Sequence, residues 1–382
     1  MKLVPGGMDQ LFLFAVVALV AIGLVMVFSA SSVTSLEDYG DKFHFFKRQV
    51  FFAFLGALAM LFFTIVDYRR LEVLATPFLL LAFLLLILVY IPGVGVTVRG
   101  ATRWIQFGPF RLTPSAVAEF AMILFLAHSL SANHSSRGSF KEHVLPHLII
   151  LAGVFFLVLK QPDLSSAIIL SVVSMVIIAI AYENLRHIAA LIGMGLLGVA
   201  FLVASDPMRM KRMLAFVNPW ADRYGAGYHV IQSILALGAG GFSGVGLGQS
   251  RQKFEYLPDE FTDFIFAVIG EELGFAGAII VIALFGILVW RGIRASLAAP
   301  DLFGMLLGFG LTCAIGFQSW LNIAVVVGCM PTTGVALPFI SYGGTSLLLF
   351  MAAAGVVLNI SWVGEKEKYR KATNTWKQTG RG

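Results

Sequence analysis

Long apolar runs recur along the whole chain and constrain its fold more than any other feature. Each run is about 20 residues long, the length that an α-helix needs to cross the hydrocarbon core of a bilayer. The runs are continuous rather than alternating, which excludes the strand pattern of a membrane β-barrel. Hydrophobic residues make up 58% of the 382 residues and charged residues only 13%, against about a quarter charged in soluble proteins. The sequence therefore predicts an all-α polytopic membrane protein.

We expect about ten transmembrane helices in one transmembrane domain, residues 1–363, followed by a basic tail, residues 364–382. The predicted spans are 10–30, 47–66, 72–92, 114–131, 144–160, 164–182, 187–205, 263–290, 302–327 and 339–362. The first run is longer than the apolar core of a signal peptide, about 7–15 residues, so we expect it to be retained as a span. The basic tail indicates a cytoplasmic C-terminus, and an even number of spans places the N-terminus on the same side.

Lys and Arg are divided almost equally between the two sides of this predicted topology. The positive-inside pattern would instead favour the cytoplasmic side. Most of the outer cations lie in 99–111, at Lys160, and in 209–253. Two explanations stay open, namely attraction to anionic lipid headgroups and binding of an anionic substrate such as a phosphate.

One connection is much longer than the others, the large extracytoplasmic loop 206–262 between predicted spans 7 and 8. Loops of this length are usually functional or disordered. Its segment "MRMKRMLAFV" has the basic and apolar faces of a short interfacial helix. Its segment "QSILALGAGGFSGVGLGQS" is too apolar for a free loop and too rich in glycine for a stable span. We expect that segment to dip into the membrane where protein buries it.

The end of this loop concentrates acidic residues in "EYLPDEFTDFIFAVIGEELG", residues 255–274. Asp263 stands where the loop meets an apolar run, and two roles are open to it: capping the helix or acting as a general base. Glu271 and Glu272 follow two turns later, about 12 Å further along an ideal helix. Eight-residue spacing would let Asp263 and Glu271 border one cavity, whereas Glu272 is expected to be a structural partner for a neighbouring helix.

Four polar segments are expected to meet at the outer membrane face. They are the acidic stretch, "RGATRWIQFGPFRLTPS", "KQPDLSS" and "GCMPTTGVALPFISYGGTS". The Pro and Gly residues of the last segment predict broken helix ends with exposed backbone groups. The sequence contains no HExxH, Cys/His cluster, Walker motif or GxGxxG, so metalloprotease, nucleotide-binding and nucleic-acid-binding functions have no support.

Several strings in this order resemble the SEDS family (shape, elongation, division and sporulation), which includes FtsW, RodA and SpoVE of bacterial cell-wall synthesis. These strings are "NPWADRYGAGYHVIQS", "GLGQSRQKFEYLP", "TDFIFAVIGEELG" and "LPFISYGGTS". "GLGQSRQKFEYLP" and "GLVMVFSAS", residues 23–31, lean toward the FtsW branch. The resemblance covers essentially the whole chain.

The resemblance implies a peptidoglycan glycosyltransferase that polymerises lipid II in septal cell-wall synthesis. The reaction would take place on the extracytoplasmic face of the bacterial cytoplasmic membrane. It implies Asp263 as the essential aspartate and Glu255 as its supporting glutamate. The partners it implies are a class B penicillin-binding protein (an FtsI-like transpeptidase), other divisome proteins, and the polyprenyl-linked glycan. No cofactor is implied with certainty, and a divalent cation is left open. The substrate-binding residues that we expect are Arg103, Lys211, Arg212, Gln252, Lys253 and Ser341.

The chain also departs from the family pattern, at Thr113, Ala116, Glu119 and Phe261, where Gln, Glu, Lys and His are usual. The lysine missing at position 119 removes a cation expected in the substrate cavity. Alternative functions therefore stay open: a RodA-like or SpoVE-like polymerase for elongation or sporulation, a lipid II flippase, or a scaffold that only recruits the transpeptidase. A flippase would need alternating access, commonly built on internal repeats, and no convincing repeat is seen.

Overall fold

The computed structural model is a bundle of α-helices with one small sheet. It describes residues 7–98, 101–108, 110–132, 140–182, 184–250 and 260–379. The helices are α1 (Gln10–Tyr39), α2 (His44–Ile65), α3 (Ala75–Leu88), α4 (Pro114–Ala132), α5 (Leu145–Lys160), α6 (Leu164–Ala181), α7 (Leu185–Ala204), α8 (Pro207–Val217), α9 (Tyr228–Gly240), α10 (Ile265–Leu297), α11 (Leu302–Val326) and α12 (Gly344–Thr379). Short 3₁₀ turns at Tyr68–Leu74 and Pro219–Asp222 and a π turn at Phe140–Val144 complete the helical structure.

The predicted polytopic architecture is confirmed. Within the described ranges, nine helices are long and apolar enough to cross a membrane. They are α1, α2, α3 with its preceding 3₁₀ turn, α4, α6, α7, α10, α11 and α12. The remaining predicted span is α5, an apolar helix of 16 residues. At 1.5 Å per residue, α5 is about 24 Å long, slightly less than the bilayer core.

Several helices begin where an Asp or Asn side chain satisfies the first free backbone N–H groups, as N-caps do. The capping residues are Asp9, Asp163, Asn184, Asp206 and Asp301, for α1, α6, α7, α8 and α11 respectively. Asp301, for example, accepts a hydrogen bond from the N–H of Gly304 at 2.8 Å. These short polar residues explain why the apolar runs start as helices where they do.

Helices α4, α11 and α12 have the most buried spans of the bundle. Helix α12 packs on α2, α10 packs on α1 and α11, and α3 packs on α4. Helix α7 is peripheral and has few buried residues. The apolar residues left on the outside of the bundle are those that a bilayer would cover.

A three-stranded antiparallel sheet lies between α3 and α4, which the all-α prediction did not include. Its strands are β1 (Gly95–Val98), β2 (Ala101–Phe107) and β3 (Phe110–Leu112), in the order β1-β2-β3. The segment reads as a polar connection because of its arginines and glycines, but β2 also contains threonine, tryptophan and isoleucine, which favour strands. Cross-strand pairs such as Thr97 with Thr102, whose hydroxyls are 2.7 Å apart, stabilise it.

The long loop contains two helices, α8 and α9. The predicted interfacial segment forms α8, which is capped by Asp206. The glycine-rich segment begins as α9, whose 13 residues span about 20 Å, too short to cross the bilayer core. Helix α9 packs against α10 and α11.

Helix α10 breaks at Gly274, whose φ of 70° is not helical. The break leaves backbone groups of α10 without partners inside the helix. Residues that follow α9 form hydrogen bonds with these groups instead. Val245 and Gly246 donate to the carbonyls of Glu271 and Glu272 at 3.0 and 3.1 Å. On the other side of the break, Phe275 donates to the carbonyl of Gly241 at 2.9 Å. The segment after α9 thus pairs with α10 at the break.

Helix α12 starts later and ends later than the predicted span 339–362. It begins at Gly344 because Pro338 and the turn after it interrupt the helix, and it continues to Thr379. The basic tail is therefore a continuation of α12 through residue 379. Glu367 in this continuation lies 3.8 Å from Arg69, which also pairs with Asp301 at 2.8 Å.

Candidate functional site

Asp263 lies in the turn before α10, and its side chain is partly exposed. The N-cap position of α10 is Phe264, one residue further on. The main-chain carbonyl of Asp263 accepts a hydrogen bond from the Asn322 amide at 2.7 Å. The carboxylate lies beside Gly334, where an added Cβ would be 3.6 Å from Oδ2. The structure therefore places Asp263 between α10, α11 and the loop that follows α11.

The loop between α11 and α12, residues 327–343, is joined to the turn of Asp263 by two hydrogen bonds. The Ser341 hydroxyl donates to the carbonyl of Thr262, and the N–H of Tyr342 donates to the carbonyl of Phe261 at 2.9 Å. Ser341 is buried, and its hydroxyl also accepts from the N–H of Leu337 at 2.8 Å. These contacts give Ser341 a structural position, and a role in binding substrate stays a prediction.

At Phe261 the resemblance described above leads us to expect His, and the structure gives the surroundings of this residue. Its ring lies 4.7 Å from the ring of Phe45 in α2 and 5.7 Å from that of Tyr342. Burial raises the pKa of the Tyr342 phenol, while a hydrogen bond with Arg48 acts in the opposite direction. An apolar aromatic ring suits this three-ring cluster.

Arg103 of β2 holds the turn between α5 and α6. Its guanidinium donates to the carbonyl of Gln161 at 3.1 Å and to that of Pro162, and it lies 3.9 Å from Asp163. Ser165, in the same turn region, donates to the carbonyl of Thr333 at 2.8 Å. Hydrogen bonds therefore link the sheet to the α5–α6 turn, and the start of α6 to the loop after α11.

The four polar segments do converge, as the sequence predicted. The contacts above join the sheet to "KQPDLSS", that turn to the loop after α11, and the loop to the turn of Asp263. Thr345, at the start of α12, adds a contact of 2.8 Å with the carbonyl of Arg111 in β3. The result is a polar region at one end of an apolar bundle, with Asp263 in it.

The cations of α8 approach this region from the long loop. Loss of hydration, and then the nearby positive charge of Arg103, lower the pKa of Arg212. The positive charge of Arg103 thus acts on Arg212, and cations of this kind can bind an anionic group. Lys211 is exposed on α8. Gln252, Lys253 and Glu255 lie outside the described residues.

Glu271 and Glu272 are both buried, with 1% exposure each. Glu271 accepts a hydrogen bond from the Ser250 hydroxyl. The expectation of a cavity shared with Asp263 assumed a continuous helix; α10 starts at Ile265, two residues after Asp263, and the shared cavity stays a prediction. Glu272 accepts hydrogen bonds from Ser29 of α1, as expected of a partner for a neighbouring helix.

Sequence reasoning missed Asn322, and it did not single out Ser165 or Gly334 within the polar segments that it expected to converge. The available signal for Asn322 was an amide within the apolar run of α11. Glu119, where the resemblance leads us to expect Lys, is buried within α4 with 7% exposure. Among the described residues, its Oε1 atom has no hydrogen-bond partner.

A metal site would need several His, Cys, Asp or Glu side chains close together. The described ranges contain no group of three or more such residues that could hold a metal ion. Glu255 and Asp259 are not among the described residues, so the divalent cation stays a prediction.

Comparison with known proteins assigns the chain to a family. A family model described as "Cell cycle protein", for FtsW, RodA and SpoVE, matches residues 9–366. The chain is 44% identical over 353 residues to stage V sporulation protein E of Bacillus subtilis, covering 92% of this chain and 96% of the relative. It is 43% identical over 353 residues to a probable peptidoglycan glycosyltransferase FtsW of Geobacter metallireducens, covering 92% and 94%.

Two solved structures share the fold. One is described as a peptidoglycan synthase complex that coordinates polymerization and crosslinking; its matching chain has a TM-score of 0.75, 31% identity, and coverage of 94% of this chain and 98% of that chain. The other is the rod shape determining protein RodA of Thermus thermophilus, with a TM-score of 0.68, 30% identity, and coverage of 93% and 97%. The chain therefore belongs to the FtsW/RodA/SpoVE family of cell cycle proteins, the SEDS family.

Proposed function

We propose that this protein is a peptidoglycan glycosyltransferase that polymerises lipid II into glycan strands during septal cell-wall synthesis. The observation that carries the proposal is the position of Asp263. It is a partly exposed carboxylate where four polar segments meet in an apolar bundle. The relatives named probable peptidoglycan glycosyltransferase FtsW supply the reaction class.

In the proposed reaction, the 4-hydroxyl of the acceptor sugar attacks the anomeric carbon of the donor glycan. Asp263 accepts the proton of that hydroxyl as general base. The bond from the anomeric carbon to the pyrophosphate oxygen breaks, and polyprenyl pyrophosphate leaves with its electron pair. Positive groups close to the departing oxygens would stabilise the charge that develops.

The cations assigned to the pyrophosphate are Arg103 of β2 and Lys211 and Arg212 of α8. Gln252, Lys253 and Ser341 complete the proposed substrate contacts, and Glu255 is the supporting acid. A divalent cation on the pyrophosphate is also part of the proposal. Addition of EDTA and then Mg²⁺ to the polymerisation assay tests the cation.

The proposed orientation has both termini in the cytoplasm and the Asp263 end of the bundle on the extracytoplasmic face. The basic continuation of α12 supports it, because cytoplasmic segments are enriched in Lys and Arg. The proposed domain organisation is a single transmembrane domain, 1–363, with the long loop 206–262 on the extracytoplasmic side and the tail 364–382 in the cytoplasm. Labelling of single cysteines at either end, in intact cells and in opened vesicles, tests this orientation.

The proposed partner is a class B penicillin-binding protein of the FtsI type, together with other divisome proteins. The similar chain in the solved synthase complex supports a partner of this kind. A role in sporulation is the second candidate, since a stage V sporulation protein is as similar to the chain as the FtsW relatives are. Depletion in growing cells separates the roles: a division polymerase gives filaments, and a sporulation polymerase leaves growth normal.

The deciding experiment supplies purified protein with fluorescent lipid II, with and without the transpeptidase, and separates the products on a gel. We expect a ladder of glycan strands that requires this protein. The same lipid in sealed vesicles tests the flippase alternative. Movement of lipid II between leaflets without any polymer would contradict the transferase proposal, and absence of both activities would favour a scaffold.

A further inference from the structure

The string "GLVMVFSAS" lies on α1, a helix to which the proposed reaction assigns no role. Its first residue, Gly23, touches the backbone of Phe339 and Ile340, in the loop after α11. A Cβ at Gly23 would be only 2.6 Å from the carbonyl oxygen of Phe339. Helix α1 is thus packed closely against one of the segments that surround Asp263.

Ser29, in the same string, is hydrogen-bonded to α10. Its hydroxyl lies 2.7 Å from both carboxylate oxygens of Glu272. Glu272 also accepts from the N–H of Ser250 at 3.3 Å. The side chains of Glu272 and Ser29 are buried, with residue exposures of 1% and 8%. One carboxylate thus connects α1, α10 and the end of the segment that follows α9.

Thr34, just over one turn further along α1, makes a second contact of the same kind. Its hydroxyl donates to the carboxylate of Glu260 at 2.9 Å. Glu260 is 6% exposed and stands three residues before Asp263. The two hydroxyls of α1 therefore bind carboxylates on both sides of Asp263 in the chain.

The hydrogen bonds of Ser29 and Thr34 restrict the positions of the two carboxylates that accept them. Hydrogen bonds to a charged acceptor are stronger than neutral ones, and a buried acceptor that loses its donor bears a desolvation cost. A displacement of about 1 Å at a reacting group can lower a rate about 100-fold. The carboxylates of Glu260 and Glu272 are 12 residues apart and belong to the same stretch as Asp263, so holding both of them limits how this stretch moves.

We propose that Ser29 and Thr34 are positioning residues for the transferase reaction. Through Glu272 and Glu260, they hold the turn that carries Asp263 at the distance and angle that proton transfer requires. They do not touch the substrate. This inference rests on the proposed function, because it gives α1 a part in that reaction.

The test uses hydroxyl-deleting and hydroxyl-retaining variants of the full chain, with its transpeptidase partner. Ser29→Ala and Thr34→Val remove the hydroxyls, singly and together, while Ser29→Thr and Thr34→Ser keep them. Ser32→Ala is the matched control, because the Ser32 hydroxyl donates within α1, to the carbonyl of Ser29. Melting temperature in detergent is measured for every variant.

We expect kcat for glycan formation to fall about 10- to 100-fold in the double variant, while KM for lipid II changes less than about threefold. The retaining variants and the Ser32 control should stay within about threefold of wild type. In an Asp263→Asn background, removal of the hydroxyls should cause little further loss, since residues that act as a unit are not additive.

Hydrogen exchange provides a readout that does not need activity. The amides of 261–267 should exchange faster in the double variant and at the wild-type rate in the Ser32 control. Wild-type kcat in the well-folded double variant, or unchanged exchange at 261–267, would overturn the inference and leave the proposed function intact. A wild-type protein without polymerase activity would overturn the proposed function, and with it a positioning role in catalysis.

Discussion

Asn322 holds the main chain of Asp263. Its side-chain amide donates to the carbonyl of Asp263 at 2.7 Å and to that of Val335 at 2.6 Å. One amide on α11 therefore ties the turn before α10 to the loop after α11. The position of Asp263 is fixed through its backbone, so the charge of the carboxylate can be altered while this tie is kept.

Asp263→Asn should abolish most of the activity without unfolding the protein. Asparagine keeps the size of the side chain but lacks the basic carboxylate, and general-base catalysis contributes about 10²–10⁴-fold. We expect the initial rate of glycan formation to fall by that factor. Rates are normalised to folded protein by size-exclusion profile and melting temperature.

Glu255→Gln is the companion variant, and it should lower the initial rate of glycan formation less than Asp263→Asn does. A supporting acid orients or polarises the reacting groups but does not accept the proton. A well-folded Asp263→Asn protein that works within about threefold of wild type, far short of the general-base range, would end the catalytic assignment of Asp263.

Gly240→Ala should destabilise the protein by about 1–3 kcal/mol, the usual cost of overpacking. A Cβ at this position of α9 would clash with the carbonyl oxygen of Gly270 in α10. The carbonyl oxygen of Gly270 belongs to the backbone of α10, and the added Cβ is fixed to the backbone of α9, so a side-chain rotation cannot relieve the clash. The measurement is thermal unfolding in detergent, monitored as the loss of the monodisperse peak in size-exclusion chromatography.

Gly238→Ala is the matched control on the same helix, since a Cβ there meets no atom within 4 Å. Alanine is a better helix former than glycine by about 1 kcal/mol, so this variant should be neutral or stabilised. Equal melting temperatures for the two variants would mean that α9 does not pack on α10 as described.

Asp9→Asn should destabilise the junction of α1 and α10. Asp9 pairs with Arg291 at 2.8 Å, and its side chain is 4% exposed. Asparagine still caps α1, so the change isolates the ion pair. We expect a loss of about 2 kcal/mol, less than the ~3–5 kcal/mol for a fully buried pair, because the Arg291 side chain is 25% exposed.

The control for this pair is Glu365→Gln, at the exposed pair of Lys368 with Glu365, which are 3.1 Å apart. Exposed pairs contribute about 0–1 kcal/mol, so the melting temperature should hardly change. If both variants behaved alike, the Asp9–Arg291 contact would have no special part in joining α1 to α10.

The pair of Asp41 and Lys47 should give a pH-dependent contribution to stability. A hydrogen bond from Lys47, at 2.8 Å, holds the pKa of Asp41 below its ordinary value of 3.8. A carboxyl whose pKa is lower in the folded state stabilises the fold above its unfolded pKa, and this contribution is lost as pH falls through the folded pKa. Lys47→Ala should therefore lower the melting temperature near neutral pH and converge with wild type in acid.

Lys42→Ala serves as the control, because Lys42 lies over the ring of Phe43 at 5.1 Å, and that ring does not titrate. Its difference from wild type should be constant between pH 6 and pH 3. A Lys47→Ala difference that also stayed constant over this range would show that Asp41 does not titrate in this pair.

Apolar runs and amphipathic patterns in the sequence were enough to predict most helices. They did not predict the sheet or the residues at which the helices begin and end. The basic and apolar faces of "MRMKRMLAFV" predicted α8, and the structure has a helix there, Pro207–Val217. Strand β2 was missed because β-pairing depends on partners elsewhere in the chain, here Thr97 for Thr102. The helical spacing used for Asp263 and Glu271 does not hold across the turn before α10, so a cavity shared by these two residues stays a prediction.

The sequence by itself determined the membrane fold class and the family, because apolar run length and continuous motifs are local properties of the chain. It also gave the prediction that Asp263 is essential, which the Asp263→Asn variant tests. Only the tertiary structure decided which groups surround Asp263. Asn322 of α11 reaches the carbonyl of Asp263, Ser165 of α6 reaches the loop after α11, and Ser29 of α1 reaches Glu272. Local sequence patterns do not predict such contacts, because the partners are far apart in the chain. The break at Gly274 was likewise settled by packing, because the hydrogen bonds that make it tolerable come from residues 241–246, well before α10 begins.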